Sequence, residues 1–362
     1  MHSPTRIVAL DVALLDIPLH VPFGISGGAQ AMANNVLVTV ELADGTKGYG
    51  EAAPLPPYNG ETQAMALAAL NSARAWLPGR AAADWRGLAA EFFGRGGAGC
   101  GSAQCALEMA LLDAVTKQRG EPMWKFFGGA STTLETDMTV TTGTVAEAAA
   151  AARAIRARGI RMIKVKVGGA AGPSADLARV VAIHEAAPDA PLILDGNAGV
   201  SRAAASELVR GLKALGITPA LLEQWLAKDD LAGAAALIAE SGWTVAADES
   251  ACTAADARKI AAAGAAQVVN IKLMKSGLIA ALDLATTARA AGLGLMIGGN
   301  VESMLAMSVS AGFAAGLGGF QFADLDTPWF MATNPFVGGF TADGGMLSVA
   351  HIAAGHGVTP RV

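Results

Sequence analysis

Residues 162–195 read MIKVKVGGAAGPSADLARVVAIHEAAPDAPLILD: an apolar run, a glycine-rich turn, an alanine-rich segment, and a second apolar run that ends in a carboxylate. Strand, crossover helix, strand is the reading, because parallel strands need a connection of a dozen or more residues. The unit recurs on both sides. The runs are Thr136–Thr141, Met162–Val167, Pro191–Asp195, Ala220–Glu223, Thr244–Asp248, Val268–Lys272, Gly294–Ile297 and Phe320–Asp324. Polar residues at their C-terminal ends fall at 166, 195, 223, 248 and 272, so the steps are 29, 28, 25 and 24 residues. One strand plus one crossover helix consumes that length, and eight such runs predict an α/β fold of the (β/α)8 barrel type. A doubly wound sheet would want a phosphate-binding glycine turn after its first strand, and Thr141-Thr142-Gly143-Thr144 is not one.

The flanking sequence obeys a different rule. Ile7–Leu19, Asn35–Leu42 and Lys47–Glu51 read as antiparallel strands, with a turn at Ala43-Asp44-Gly45-Thr46. Glu61–Trp76, Trp85–Phe93 and Ser102–Arg119 carry apolar residues at three- and four-residue intervals and read as helices. Residues 1–130 are therefore expected to form an α+β capping domain, residues 131–328 the barrel, and residues 329–362 a segment that returns to the capping domain.

Of 362 residues, 52% are hydrophobic and 16% charged, enough for a large core. The net charge of -5 argues against nucleic acid or an anionic membrane surface as partner. Asp11 and Asp16 interrupt the first apolar stretch, which speaks against a secretory signal, and no apolar run approaches the roughly 20 residues of a bilayer crossing. Cys100, Cys105 and Cys252 form no CxxC pair or disulfide framework. A cytoplasmic protein is expected.

In such a barrel the polar groups at the C-terminal strand ends converge on one mouth. Asp195, Glu223 and Asp248 end three consecutive strands, each after apolar residues. Alone, any of them reads as a helix cap; together they would repel unless a divalent cation such as Mg2+, which takes hard oxygen ligands, lay between them. His2, His20, His184, His351 and His356 are scattered and give no zinc motif. Lys164-Val165-Lys166 places two amines on one side of a strand, and Lys272 supplies a third from nearly the opposite side of the ring. Neighbouring positive charge and a metal would depress the amine pKa toward general-base range. Two amines flanking one carbon suit proton removal from one face and return on the other, which is racemisation or epimerisation.

The set Lys164-x-Lys166, Asp195-x-Asn197, Glu223-Gln224, Asp248-Glu249-Ser250 and Lys272 resembles the enolase superfamily in its muconate-lactonising subgroup. The resemblance implies a modified TIM barrel with a capping domain, and Mg2+ on Asp195, Glu223 and Asp248. That ion would hold a substrate carboxylate and stabilise an enediolate. Lys166 and Lys272 would be the acid/base pair, with Lys164 tuning Lys166. Asp324-Leu325-Asp326 on the eighth strand resembles the pair by which dipeptide epimerases grip the substrate's α-ammonium. Substrate contacts are expected at Gly24, Ser26, Asn197, Gly298 and Asn300, with a small dipeptide as partner, and a homo-oligomer is expected because barrels with a capping domain often associate. o-Succinylbenzoate synthase and muconate cycloisomerase chemistry use the same constellation and stay as alternatives.

Two departures stand out: Trp225, where the family usually has proline, would reshape its loop or add an aromatic wall, and Asn300 replaces a more commonly apolar residue. Specificity should lie in mobile loops at residues 20–35 and 55–61. The first loop has no lysine or arginine, which disfavours an acidic side chain, and Glu51, Glu61, Glu302, Asp324 and Asp326 would make the mouth negative. A dipeptide with apolar or basic side chains is the expected substrate.

Overall fold

The computed structural model describes residues 5–25 and 28–361; Ser26 lies outside them. Strands β1 (Ile7–Ile25), β2 (Gly28–Leu42) and β3 (Lys47–Ala52) form an antiparallel sheet in chain order. Val36, Val38, Val40 and Leu42 alternate along β2 and are buried, while the residues between them are not fully covered. Helix Gly101–Gln118 packs on this sheet at two glycines. A Cβ on Gly50 would collide with the Ala106 carbonyl, and one on Gly48 with that of Ala110.

The described residues of the segment 20–35 extend the β1–β2 hairpin, with Phe23 opposite Gln30 and Gly24 opposite Ala29. The register breaks between Pro18 and Phe23, in a segment whose prolines cannot donate to the ladder. The Phe23 ring then packs edge-on against Phe330, centroids 5.3 Å apart.

β4 (Thr133–Glu135) precedes the barrel strands β5 (Met138–Val140), β6 (Ile163–Lys166), β7 (Leu192–Asp195), β8 (Leu221–Glu223), β9 (Val245–Ala247), β10 (Val268–Lys272), β11 (Gly294–Gly298) and β12 (Phe320–Ala323). These eight form one parallel sheet in chain order, curled until β12 stands beside β5. There the Asp137 N–H donates to the Ala323 carbonyl at 2.9 Å, and the Leu325 N–H to Thr136 Oγ1 at 2.9 Å. Several connecting helices begin on hydroxyl caps, including the capping boxes Thr144/Glu147 and Thr253/Asp256. Such caps stabilise a helix start by about 1 kcal/mol each.

Side-chain alternation places the chemistry. Ile193, Leu221, Ala246, Val268 and Met296 form a small cluster separate from the main core, inside the ring. Two residues further along these strands come Asp195, Glu223, Asp248, Asn270 and Gly298, so the same inward face that is apolar below becomes polar at the mouth. Leu192, Leu194, Leu222 and Val269 face the other way and pack in the main core with the helices.

The C-terminal strands β13 (Phe336–Gly338), β14 (Thr341–Asp343), β15 (Met346–Ser348) and β16 (Val358–Pro360) make two small sheets, β13 with β16 and β14-β15-β4. The intervening chain reaches helix Gly101–Gln118, where His356 Nε2 lies 3.1 Å from Asp113 Oδ2. No helix among the described residues is long and apolar enough to cross a membrane.

Candidate active site

Register in the barrel sheet lines up Lys166, Asp195 and Glu223 across β6, β7 and β8. Lys164, one inward position deeper, is fully buried. Its Nζ lies 2.9 Å from Asp195 Oδ2, 2.9 Å from Glu223 Oε2 and 2.6 Å from Asp324 Oδ2. Lys166 Nζ lies 2.6 Å from Asp195 Oδ2. Four strands away in the ring, Lys272 Nζ lies 2.8 Å from Asp248 Oδ2. The two lysines that were paired from the sequence thus engage different acids.

Lys166, Lys272, Asn197, Asn300 and Asp324 line one small cavity, closed by Phe23, Leu55 and Tyr58 from the capping domain. Asn197 holds a left-handed backbone conformation, φ 41°, and its N–H donates to Asp195 Oδ1 at 2.9 Å. Asn300 Nδ2 donates to the Ala53 carbonyl at 2.9 Å, tying the loop after β11 to the capping domain. Gly298 is opposite Lys272, and a Cβ there would crowd the Asn270 side chain, which donates to Glu223 Oε1 at 2.8 Å. Gly24 lies outside this cavity; it lines a larger groove beside Thr142 and helix Val145–Ala157. Trp225 makes no wall here either. It is buried, and its indole N–H donates to the Leu194 carbonyl at 2.8 Å.

Several participants were not singled out from the sequence. Tyr58, one of two tyrosines in the chain, donates its hydroxyl to Asp248 Oδ1 at 3.0 Å. Lys275 Nζ lies 3.0 Å from the same oxygen and 2.7 Å from the Asn270 carbonyl. Asn270 had a legible signal, being the polar residue two before Lys272 in an otherwise apolar run. Asp137, just before β5, is fully buried, and its oxygens gather with those of Asp324 and Asp326 within 4.8 Å. Asp326 is itself fully buried and accepts from the Thr139 N–H at 2.6 Å.

Two of the five acids expected at the mouth do other work. Glu51 caps helix Met304–Leu317, accepting from the N–H groups of Ser303 at 2.9 Å and Ala306 at 3.2 Å. Glu61 caps helix Gly101–Gln118, accepting from the N–H groups of Gly101 at 2.8 Å and Ser102 at 3.1 Å. Anionic caps at helix N-termini are stabilising, and both are remote in sequence from the helix or strand they secure.

Electrostatics follow from this crowding. Burial alone would lower the Lys272 ammonium, but Asp248, Glu223 and Glu249 outweigh it and hold its pKa above the usual lysine value. Burial likewise opposes the Lys164 charge, and Asp195, Asp324 and Glu223 overcome it and raise its pKa well above the ordinary range. Burial and the nearby Asp195 raise Glu223 to about 7. Asp248, despite burial, is held at about 2 by Lys272 and Lys275. Asp195, Glu223 and Asp248 are fully buried hard-oxygen donors on consecutive strand ends, the donor chemistry a divalent cation takes, but lysine ammoniums lie against all three, and the described carboxylates whose oxygens come within 4.8 Å of one another are Asp137, Asp324 and Asp326.

Residues 7–128 match the mandelate racemase/muconate lactonizing enzyme N-terminal domain family, and residues 146–361 the enolase C-terminal domain-like family. The chain is 52% identical to the aromatic dipeptide epimerase of Herpetosiphon aurantiacus, over 98% of this chain and 99% of that protein. A crystal structure of a mandelate racemase/muconate lactonizing enzyme from Roseiflexus sp. has a TM-score of 0.94 at 54% identity, covering 100% of both chains. The Enterococcus faecalis dipeptide epimerase, crystallised with Mg and L-Leu-L-Tyr, has a TM-score of 0.92 at 30% identity, covering 98% of this chain and 99% of that one.

Proposed function

The chain belongs to the mandelate racemase/muconate lactonizing enzyme family of the enolase superfamily, and from that premise we propose that it is a Mg2+-dependent dipeptide epimerase. It inverts the α-carbon of the C-terminal residue, preferentially on dipeptides with aromatic or other apolar side chains. The observation that carries the reading is the pair Lys166 and Lys272, which line one cavity from strands four apart in an eight-stranded ring. That arrangement suits proton removal from one face and return on the other, and Asp324 and Asp326 set the reading apart from the single-base reactions that use the same lysines.

Asp195, Glu223 and Asp248 would hold the cation, which when bound supplies positive charge against the substrate carboxylate and offsets the negative charge that develops as the α-proton leaves. In one direction Lys166 or Lys272, as the neutral amine, takes the α-proton, while the other, as the ammonium, delivers a proton to the opposite face. The roles exchange in reverse. Lys164, with Nζ contacts to Asp195, Glu223 and Asp324, orients the acids beneath the cavity. Asp324, which lines the cavity, receives the substrate ammonium with Asp326 behind it. Phe23, Leu55 and Tyr58 give the capping side an apolar and aromatic surface, which supports the substrate class, as does the high identity to the aromatic dipeptide epimerase.

Mixed L,L-dipeptides incubated with the protein and Mg2+ in D2O test the proposal by mass spectrometry. Deuterium at the C-terminal α-carbon with appearance of the L,D epimer is expected, most strongly for Phe-, Tyr- and Leu-containing substrates. No exchange into any dipeptide, with water loss from a succinyl-hydroxy acid, would favour β-elimination instead; exchange confined to Lys- and Arg-containing dipeptides would overturn the substrate class.

A further inference from the structure

Asp137 is a fully buried acid that the reaction above leaves without a task. Neither of its carboxyl oxygens has a hydrogen-bond partner among the described residues, and Asp326 Oδ1 has none either. Oxygens of Asp137, Asp324 and Asp326 lie within 4.8 Å of one another. The amine facing this group is Lys164, whose Nζ donates to Asp324 Oδ2 at 2.6 Å and lies 2.9 Å from both Asp195 Oδ2 and Glu223 Oε2. An ionised carboxylate left unpaired in such surroundings would be costly. A single proton on Asp137 relieves the arrangement: it removes one of three like charges and turns an acceptor without a partner into a donor inside a group whose Asp326 Oδ1 also lacks one.

We infer that Asp137 is a protonated positioning residue, which holds Asp326 in place and sets the negative charge at the ammonium-binding end of the cavity. The proton belongs on Asp137 because Asp326 has a backbone donor, the Thr139 N–H, to stabilise its anion. The charged groups facing Asp137 are Asp324, Lys164, Asp326 and Glu223; burial and the three acids push its carboxyl well above the usual range against the opposing effect of Lys164. With Asp137 neutral, the end of the site retains the charge of Asp324 and that of Asp326 when ionised, whose carboxyl burial and the nearby Asp324 raise to about 7, and Lys164 shares its own charge with the metal-side acids. The role toward an ammonium rests on the dipeptide reading; the protonation does not.

Two arms separate these. Difference infrared spectra of wild type against Asp137→Asn at neutral pH, taken without substrate, should show loss of a protonated-carboxyl C=O band; absence of that loss overturns the inference whatever the substrate is. In the kinetic arm, Asp137→Asn, isosteric and able to donate, should keep the dipeptide KM within about threefold, while Asp137→Leu raises it about tenfold or more with a smaller change in kcat. A KM raised equally in both variants would mean that the ionised acid is needed and would overturn the inference, as would an unchanged KM in the leucine variant. Mg2+ affinity by calorimetry should be unaltered in both, since a merely structural collapse would lower it.

Discussion

The ring of Tyr58 lies against the ammonium of Lys272, with Nζ 4.4 Å from the ring centroid. The same side chain reaches Asp248 through its hydroxyl, so one capping-domain residue touches both an amine and an acid of the barrel. Its loop is secured from behind by the Glu61 cap on helix Gly101–Gln118. Capping domain and barrel meet at the reacting groups as well as at their cores.

Tyr58→Phe keeps the ring and should retain most activity, while Tyr58→Leu removes the cation–π contact, worth about 0.5–2 kcal/mol, and should slow proton transfer at Lys272 by about 2- to 30-fold. The deficit should be larger for the epimer whose α-proton Lys272 removes. Separate α-proton washout rates for the two epimers provide the check, and equal deficits in both directions would count against a specific effect on Lys272.

Asp195→Asn should weaken Mg2+ binding about tenfold or more in isothermal titration, because one of three anionic oxygen donors becomes neutral. Chelation should abolish turnover in the wild type, and added Mg2+ should restore it. An unchanged titration in the variant would remove Asp195 from the ligand set.

Glu302 gives a stability prediction. Burial, with the nearby Glu51, raises its carboxyl from 4.5 to about 8. The native state therefore keeps a proton that the unfolded chain has released, and between about pH 4.5 and 8 its contribution to unfolding free energy falls as pH rises, by about 1.4 kcal/mol per pH unit. Glu302→Gln should remove that part of the slope. Denaturant unfolding at pH 5, 6.5 and 8 measures it, and parallel curves for wild type and variant would show that Glu302 is not the group responsible.

Much of this fold was legible because strands alternate. Lys164 and Lys166, or Ile193 and Asp195, declare a shared face through two-residue spacing, and the steps of 24 to 29 residues declare the crossovers. What stayed hidden depends on contacts across long separations. Thr139 and Asp326, 187 positions apart, meet only because the ring closes, and that closure is what gathers Asp137 with Asp324 and Asp326. Glu51 looked like a mouth charge because its helix lies 252 positions on, at Ser303. The long β1–β2 pairing and the Phe23–Phe330 contact were likewise hidden, since Phe330 lies far along the chain from Phe23. Tyr58 sat in a segment recognised as important, yet nothing local showed that its ring would meet Lys272.

The two-lysine arrangement is tested most directly by α-proton washout in D2O from each purified epimer of an apolar dipeptide, using Lys166→Ala and Lys272→Ala. Both variants should lose net epimerisation, with one variant exchanging only the L,L form and the other only the L,D form. Exchange of the same epimer by both variants, or full turnover in either, would contradict it.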